Sequence, residues 1–530
     1  MKRGKEKSRM KSPKKCSFLR LTILVVFAGV TPLLLNAAPP EAQPNVVPSL
    51  REWIPGEGIF HLTIHSRIKL EKDYEAQLTE TANTFREDLT AISGLDLKVL
   101  TTPEAKCGDI FLTLDNEDKK IDDEGYLLEI GDTITIRANT SHGTFSGIQT
   151  ILQLLKQSSD KRSLQRGFAR DFPQFKKRGI MIDAGRKFWG MDYLKKTIRK
   201  LAWYKMNFIH MHFTDWSGFR LKSDTYPGLA AQQAYSKDDI RELQDFAKKY
   251  QVMLVPEIDL PAHATAITDY NPALAFKCQS MREARWQGEE ANQAGKAWTM
   301  DVTRPEVREW IKALLDEFVP LFNAPIFHLG GDEYQYDAQK YACPELVAAM
   351  KARGYSHPGD VFIEWLNEVN EQIKSYGKQT QVWNWWRFSP NEKMRNNTSI
   401  QPNKDILITV WNKPREDAII SDGYNVIITT EEGEGALYVT PGYGKKPGDY
   451  GFFDSKYNYE KWQPRIHPQV LGFQVCIWAD RMEDKEDDWF DKWAEIPKLV
   501  LAERTWAGPR SDKLEDFIKR VKKIGPAPLK

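Results

Sequence analysis

Two adjacent carboxylates, Asp332 and Glu333, are the residues of this sequence best suited to do chemistry. They end the run HLGGDE at residues 328–333, which follows a short apolar segment of strand character. Neighbouring side chains on a regular strand point to opposite faces, but Gly330 and Gly331 allow the backbone to turn both carboxylates into one cavity. Because two close carboxyl groups do not ionise equally easily, one can serve as an acid near neutral pH. Acids after a strand can instead merely cap the next helix, but the glycine pair favours catalysis.

Further polar and aromatic residues follow the other predicted strands. Carboxylates, histidines and an arginine follow the earlier strands, whereas tryptophans follow most of the later ones. The first group is Asp183, Arg186, His210, His212, Asp215, Glu257, Asp259 and His263, and the second is Trp383, Trp385, Trp386, Trp411 and Trp478, with Asp480 just beyond. Flat apolar indoles suit the faces of sugar rings, and carboxylates suit acid–base work on a glycosidic bond. The two groups together predict a carbohydrate-active site.

The histidines allow a metal site as an alternative. His210 and His212 alternate along a strand and so share one face, and with His263 and His328 they would supply ligands for a metallohydrolase. Tryptophans, however, occupy the strand ends where further ligands would be needed. We therefore interpret these histidines as core or supporting residues, with His263 close to Asp215 in a polar relay that tunes a catalytic acid. We expect neither a metal nor a cofactor.

These residues need a scaffold that brings many strand ends together. From residue 172 onward, short apolar runs alternate with helix-like segments. The predicted strands are residues 179–183, 208–213, 253–257, 326–329, 381–383, 406–410, 426–429 and 470–477. This alternation predicts an α/β fold, a (β/α)8 TIM barrel with its chemistry at the carboxyl ends of the strands. The alternative is an open doubly wound sheet, against which the lack of a glycine-rich fingerprint argues weakly.

A smaller α+β domain is predicted before the barrel, since 530 residues exceed one ordinary domain. Residues 74–92 and 143–156 have helical periodicity, and strand-like alternation on both sides of Gly131-Asp132 predicts a hairpin. We predict a non-catalytic domain over residues 45–160, a polar linker over 158–170, a catalytic barrel over 172–510 and a C-terminal tail over 511–530.

The first 38 residues have the pattern of an export signal. Nine of the first 20 residues are Lys or Arg and one is Glu, residues 21–38 carry no charge, and small residues precede Pro39. This order is typical of a signal peptide cleaved near Ala38, whereas residues 21–35, interrupted by Pro32, are short for an uncleaved membrane anchor. We expect an exported protein, periplasmic or secreted, with no membrane span in the mature chain.

The charge balance of the remaining chain excludes one class of partner. Without its first 38 residues the chain has 66 Lys and Arg against 72 Asp and Glu. Such a mildly acidic body lacks the positive footprint of a nucleic-acid-binding protein.

The ordered motifs resemble those of the family 20 glycoside hydrolases, the β-N-acetylhexosaminidases, from about residue 45 to residue 507. The shared motifs are RGIMID at 178–183 with Arg186, YKMN at 204–207, HMHFTD at 210–215, PEIDLP at 256–261 with His263, HLGGDE at 328–333, and AER at 502–504 with Trp506. The HLGGDE run is highly specific, and its order among the other motifs argues strongly against chance.

The resemblance implies a retaining, substrate-assisted mechanism in which the 2-acetamido oxygen of the substrate attacks the anomeric carbon. By position, Glu333 is expected to be the general acid and then the base, and Asp332 to orient the acetamido group and stabilise developing positive charge. The other implied site residues are Tyr438 at the acetamido oxygen, Trp383, Trp411 and Trp478 as walls, Arg186 and Asp480 at the sugar hydroxyls, and Asp215, His263 and His328 in support. The expected substrates are glycans with a terminal β-linked GlcNAc or GalNAc.

Several positions depart from the family pattern around the terminal sugar. Thr440 stands where the family often has an Asp that contacts O6, and the shorter Asp480 stands where it often has a Glu that contacts O4. Three further positions that usually hold His, Asp and Gly are here Lys187, Trp216 and Ala262. The chemistry is therefore expected to be intact, whereas the clamp on the terminal sugar is altered.

These departures leave alternatives open. One is a lacto-N-biosidase-like enzyme that releases a disaccharide, and another is release of 6-sulfo-GlcNAc with Lys445 and Lys446 at the sulfate, although a solvated loop is the favoured interpretation of those lysines. A third, from another class, is a non-catalytic glycan-binding protein, against which the intact Asp332, Glu333 and Tyr438 set argues. The sequence does not predict an oligomeric state.

Overall fold

A computed structural model describes residues 43–102, 104–283, 296–334, 340–384, 398–411, 416–430 and 437–528 of the chain. Two compact units are present, one built mainly of residues 51–171 and one of residues 45–50 together with the chain from residue 172. The short segment 45–50 is tied into the second unit by the backbone N–H of Ser49, which donates to Glu503 Oε2 at 2.9 Å. Within the described ranges, no helix is both long and apolar enough to cross a bilayer.

The first unit contains a mixed seven-stranded sheet with two helices packed on it. Along the chain its elements are β1 (Glu52–His61), β2 (Ile68–Leu70), α1 (Glu75–Ser93), β3 (Val99–Thr101), β4 (Ile110–Thr113), β5 (Tyr126–Ile130), β6 (Ile134–Ala138), α2 (Ser141–Gln157) and β7 (Ser163–Asp171). The strand order is β1-β7-β5-β6-β4-β2-β3. Strands β5 and β6 form the predicted hairpin, in which Ile130 pairs with Ile134 across the three-residue loop 131–133.

The prediction of a polar linker at residues 158–170 is wrong. Residues 163–171 form strand β7, which pairs antiparallel with both β1 and β5 and therefore lies inside the sheet. Its charged residues are tolerated because a strand of an antiparallel sheet can expose alternate side chains. Leu164, Ala169 and Asp171 are buried, whereas Gln165 is exposed and Arg166 half-buried.

The second unit contains a closed barrel of parallel strands. The strands of this unit are β8 (Lys177–Asp183), β9 (Phe208–His212), β10 (Thr214–Asp215), β11 (Gly218–Phe219), β12 (Met253–Glu257), β13 (Ile326–His328), β14 (Gln379–Trp383), β15 (Leu407–Val410), β16 (Val426–Ile428), β17 (Tyr438–Val439) and β18 (Val470–Ile477). Around the barrel the order is β8, β9, β12, β13, β14, β15, β16 and β18, and β18 pairs with both β16 and β8. This closure confirms the (β/α)8 fold and excludes the open sheet.

Helices follow most of the barrel strands. In the described part of this unit they are α3 (Met191–Trp203), α4 (Lys237–Lys249), α5 (Thr265–Tyr270), α6 (Gln279–Arg282), α7 (Pro305–Phe318), α8 (Pro344–Ala352), α9 (Gly359–Ser375), α10 (Glu416–Ser421), α11 (Ser455–Glu460), α12 (Asp491–Trp506) and α13 (Leu514–Ile524). The barrel strands are buried almost throughout because side chains fill the interior and helices cover the outside.

The last twenty residues are more than a tail, since they include helix α13. Phe517 of this helix stacks on Tyr459 with ring centroids 4.7 Å apart, and Arg520 Nη2 lies 2.6 Å from the buried Glu503 Oε1. An apolar face combined with a buried ion pair explains why the segment is held.

A disulfide joins Cys278 and Cys343, 65 residues apart, whereas Cys476 is buried and free. The scattered spacing of the cysteines along the sequence does not predict this pairing.

Candidate active site

The turn after β13 brings Asp332 and Glu333 together. Gly330 and Gly331 have φ values of +76° and +88°, which glycine adopts readily, and a Cβ on Gly330 would lie 1.8 Å from Asp259 Oδ1. Glu333 itself has a φ of +47°, an uncommon conformation for a residue with a side chain and one found often at functional sites. The turn directs both carboxylates toward the same imidazole: His263 Nε2 lies 3.6 Å from Asp332 Oδ2 and 3.3 Å from Glu333 Oε2.

His263 connects these carboxylates to a deeper one, Asp215. Its Nδ1 lies 3.1 Å from Asp215 Oδ2, so carboxylate oxygens flank both ring nitrogens. Burial alone would lower the pKa of His263, but the negative charges of Asp215 and Asp332 raise it well above its usual value. The ring also contacts Trp298, with centroids 4.2 Å apart. The imidazole is therefore held in its protonated form beside Glu333.

Asp259 is a site residue to which sequence reasoning assigned no role. It is fully buried, accepts from the backbone N–H of Gly331 at 3.1 Å, and has its pKa raised well above the usual range by burial and by the charge of Asp332. Burial likewise raises the pKa of Asp332 to about 6, helped by the charges of Glu333 and Glu257 and opposed by His263 and by a hydrogen bond with Asp259. Near neutral pH Asp259 thus keeps a proton, and Asp332 is the charged partner.

A second buried carboxylate, Glu257, lies deeper in the barrel among histidines. It is 2.9 Å from His210 Nε2, 2.8 Å from His212 Nδ1 and 3.4 Å from His328 Nδ1. His328 Nδ1 also accepts the backbone N–H of Gly330 at 3.0 Å and so supports the turn that carries the catalytic candidates. The Glu257 carboxylate is therefore surrounded by imidazole nitrogens of three histidines.

Aromatic side chains form the other half of the site. Trp383, Tyr438 and Trp478 lie in one buried cluster, and the half-buried Trp411 packs against it. Ring centroids are 6.0 Å apart for Trp383 and Trp478 and 6.1 Å apart for Tyr438 and Trp478. The indole N–H of Trp383 donates to Glu257 Oε1 at 2.6 Å, which fixes the ring over the histidine group.

Strand β17 explains how Tyr438 reaches this cluster. It adds to the barrel beside β18, with Tyr438 opposite Cys476, and so places a residue from a long loop at the barrel rim. Burial raises the pKa of Tyr438 well above its usual value, which keeps the phenol protonated as a hydrogen-bond donor. Trp385 and Trp386 lie outside the described residues.

Arg186 and Asp480 stand at the boundary between the two halves. Arg186 Nη1 lies 3.0 Å from Asp183 Oδ2, its Nη2 lies 2.9 Å from Asp215 Oδ2, and its Nε lies 3.5 Å from Asp480 Oδ1. Burial raises the pKa of Asp480 to about 6, and Arg186 opposes this rise while Asp183 and Asp215 add to it. The pair offers a sugar both hydrogen-bond donors and an acceptor.

The residues that depart from the family pattern are also located. Thr440 is buried, and its backbone N–H donates to Gly451 O at 2.8 Å. Lys187 forms an ion pair with Asp487 at 2.8 Å. Lys445 turns back on its own loop, where its ammonium donates to Pro441 O at 2.6 Å, so it is not extended toward the barrel centre.

Two family models match the chain. The model described as "Glycosyl hydrolase family 20, catalytic domain" matches residues 175–509, and the one described as "Glycosyl hydrolase family 20, domain 2" matches residues 43–172. Together they cover both units of the fold.

The chain is also similar to curated glycosidases, at low sequence identity. The chain is 24% identical over 486 residues to a lacto-N-biosidase of Bifidobacterium bifidum, a match that covers 88% of this chain and 40% of that protein. It is 28% identical over 483 residues to a probable beta-hexosaminidase of Drosophila melanogaster, covering 81% of this chain and 65% of that protein. The chain thus spans less than two thirds of the length of either relative.

A solved structure supports the fold. The crystal structure of a GH20 exo beta-N-acetylglucosaminidase from Vibrio harveyi in complex with N-acetylglucosamine superposes with a TM-score of 0.73 at 20% identity. The match covers 90% of this chain and 76% of that one.

Proposed function

The chain belongs to glycosyl hydrolase family 20, and we propose that it is a retaining exo-β-N-acetylhexosaminidase that removes terminal β-linked GlcNAc or GalNAc from glycans. One observation carries the proposal: Asp332 and Glu333 both lie within 3.6 Å of His263 Nε2, on a barrel rim that also carries a cluster of indoles and one tyrosine. Acid–base groups beside aromatic faces are the combination that glycosidic hydrolysis needs.

Glu333 acts as the acid and then as the base. It protonates the glycosidic oxygen as the bond to the anomeric carbon breaks, and afterwards takes a proton from the water that attacks the same carbon. His263 supports both steps because its Nε2 lies 3.3 Å from Glu333 Oε2, and Asp215 on the other ring nitrogen stabilises the imidazolium.

Asp332 and Tyr438 serve the acetamido group of the substrate, which is the nucleophile. The acetamido oxygen attacks the anomeric carbon and forms an oxazolinium ion, whose positive charge the ionised Asp332 stabilises from the acetamido nitrogen side. The Tyr438 phenol, kept protonated by burial, donates to the acetamido oxygen and fixes its direction of attack. A second inversion by water restores the original β configuration.

The remaining predicted residues bind the sugar. Trp383 and Trp478 provide apolar faces, Trp411 packs against them, and Arg186 with Asp480 recognises hydroxyl groups of the sugar. Arg186 donates and Asp480 accepts, so the pair orients a hydroxyl that does both.

A second candidate function is release of a disaccharide. Two observations favour it: the acid near O4, Asp480, has a short side chain, and the chain resembles a lacto-N-biosidase over 88% of its length. The engagement of the Lys445 ammonium by Pro441 O gives the 6-sulfate alternative less support.

A side-by-side assay separates these functions. Chromogenic β-glycosides of GlcNAc, GalNAc, 6-sulfo-GlcNAc and lacto-N-biose are offered to the wild type and to Glu333→Gln. We expect the simple monosaccharides to be cleaved fastest, the variant to be inactive, and a thiazoline analogue of the cyclised intermediate to inhibit strongly. Preferential release of the disaccharide would replace the first proposal by the second. Binding of glycans without any turnover would leave only a non-catalytic lectin-like protein.

We also propose that the protein is exported and processed near Ala38. The support is the basic, apolar and small-residue order of residues 1–38, which lie outside the described residues. Mass spectrometry of protein from the periplasm and medium tests this proposal, and a mature protein that still begins at Met1 would contradict it.

A further inference from the structure

The edge of the Arg186 guanidinium is held by acids. Asp183 accepts an N–H from Nη1, Asp215 Oδ2 forms an ion pair with Nη2 at 2.9 Å, and Asp480 Oδ1 lies 3.5 Å from Nε. Since a guanidinium has five N–H donors, at least two remain for the hydroxyl groups of a sugar. The acids alone, however, restrain the cation only in its plane.

The face of the guanidinium is held by aromatic rings. Arg186 Cζ lies 3.8 Å from the ring centroid of Trp216 and 5.1 Å from that of Trp478. The shorter distance is direct contact between a planar cation and an indole face, an arrangement that is strengthened when water is excluded. Arg186 is 4% exposed, so this contact is a desolvated one.

Trp216 also contacts the residues that support the acid. It packs against the buried cluster of Ala262 and Trp298, and the two indole centroids are 6.3 Å apart. Trp298 in turn contacts His263, and its indole N–H donates to Glu333 O at 3.2 Å. Two of the departures from the family pattern, Trp216 and Ala262, therefore meet in the structure.

We propose that Trp216 is a positioning residue that fixes the Arg186 guanidinium for recognition of the sugar hydroxyls. This inference rests on the proposed function and adds a determinant of sugar affinity to it. The indole lies between the cation and the buried Trp298 cluster, so that the remaining N–H groups of Arg186 keep one direction toward the sugar. Because those contacts are remote from the bond that is broken, Trp216 contributes to substrate binding more than to the chemical step.

A double-mutant cycle tests the proposal. Trp216→Leu removes the aromatic face, Trp216→Phe retains one, and Arg186→Lys replaces the planar cation by a point charge. With chromogenic β-GlcNAc, we expect Trp216→Leu to raise KM by about five- to thirtyfold, the range of one buried cation–π contact, and to change kcat by less than about threefold. Trp216→Phe should restore most of the affinity. In the Arg186→Lys background, Trp216→Leu should change KM by less than about twofold.

Three outcomes would overturn the proposal: equal effects of Trp216→Leu in both backgrounds, a Phe variant as weak as the Leu variant, or a loss confined to kcat. If the Leu variant fails to fold, as judged by its melting temperature, Trp216→Met is read in the same way. Calorimetric binding of free GlcNAc gives a readout independent of turnover. A wild type that neither cleaves the glycoside nor binds GlcNAc contradicts the proposed function, whereas a wild type that does both while Trp216→Leu retains its KM contradicts this inference alone.

Discussion

The two halves of the barrel rim hold their side chains by different forces. In β10 and at the ends of β12 and β13, Asp215, Glu257 and the Asp332–Glu333 pair are fixed by ion pairs with histidines, and Asp215 also by hydrogen bonds. At the ends of β14, β17 and β18, Trp383, Tyr438 and Trp478 are fixed mainly by packing in one cluster. The first half places charge and protons, and the second half places apolar surface.

Because of this difference, substitutions in the two halves should have different effects on the kinetics. Buried charged groups are coupled, so removing one leaves another unpaired and changes the pKa values of the rest. Packed rings are replaceable by other apolar groups at the cost of surface and shape. Changes in the charged half should therefore lower kcat and alter pH dependence, whereas changes in the aromatic half should raise KM.

The largest effect is expected for Glu333→Gln, which removes the proposed acid from the charged half. We expect kcat/KM to fall by about 10²- to 10⁴-fold, with a greater loss for glycosides whose leaving group is a poor one, because such substrates depend most on protonation. Steady-state kinetics with leaving groups of different pKa measures this. Equal losses for good and poor leaving groups would contradict the role of Glu333.

Asp332→Asn should follow, with a fall in kcat of about 10²- to 10³-fold for substrates that carry the acetamido group. The reason is that an amide in place of a carboxylate no longer stabilises the positive charge of the oxazolinium ion. The melting temperature should stay within a few degrees of the wild type, since Asn fills the same space. Wild-type turnover in this variant would remove Asp332 from the mechanism.

Trp478→Leu probes the aromatic half. We expect KM to rise by about five- to thirtyfold while kcat changes far less, because the ring offers apolar surface to substrate and transition state alike. Trp478→Phe is the matched control, and its KM should lie between those of the wild type and Trp478→Leu. A loss of kcat as large as that of Asp332→Asn would erase the proposed distinction between the halves.

The smallest effect is expected in the pH dependence of activity, which tests the titration of Asp332 in the charged half. With the pKa of Asp332 raised to about 6, activity that needs its ionised form should increase as pH rises through about 6. Asp259→Leu removes the hydrogen bond that favours ionised Asp332, so the pKa of Asp332 should rise further. Activity should then fall about fivefold at pH 6 and little at pH 8.

Asp259→Asn, which retains an N–H donor, is the control for that experiment and should leave the pH profile close to the wild type. An acid limb that does not move in Asp259→Leu would separate Asp259 from the titration of Asp332.

Much of the fold could be predicted because the buried strands of a barrel are recognisable in the sequence as short apolar runs. The eight predicted strands all lie on observed ones, with ends that differ by two residues or fewer. Strand β7 was missed because only three of its nine residues are buried, and a charged, alternating segment does not differ locally from a linker. Helix α13 was missed for a related reason: its buried residues are few, and only contact with Tyr459 and Glu503 reveals them.

The candidate site, like the fold, could be predicted from the sequence only in part. By itself the sequence determined which residues carry the candidate chemistry, because Asp332, Glu333 and their glycine turn are adjacent in the chain and local backbone geometry directs them. The tertiary structure decided what surrounds them, including the protonated Asp259, the Trp298 contact with His263 and the stacking of Trp216 on Arg186. Burial, pKa values and cation–π contacts depend on distances between strands far apart in sequence, and only the closed barrel sets those distances.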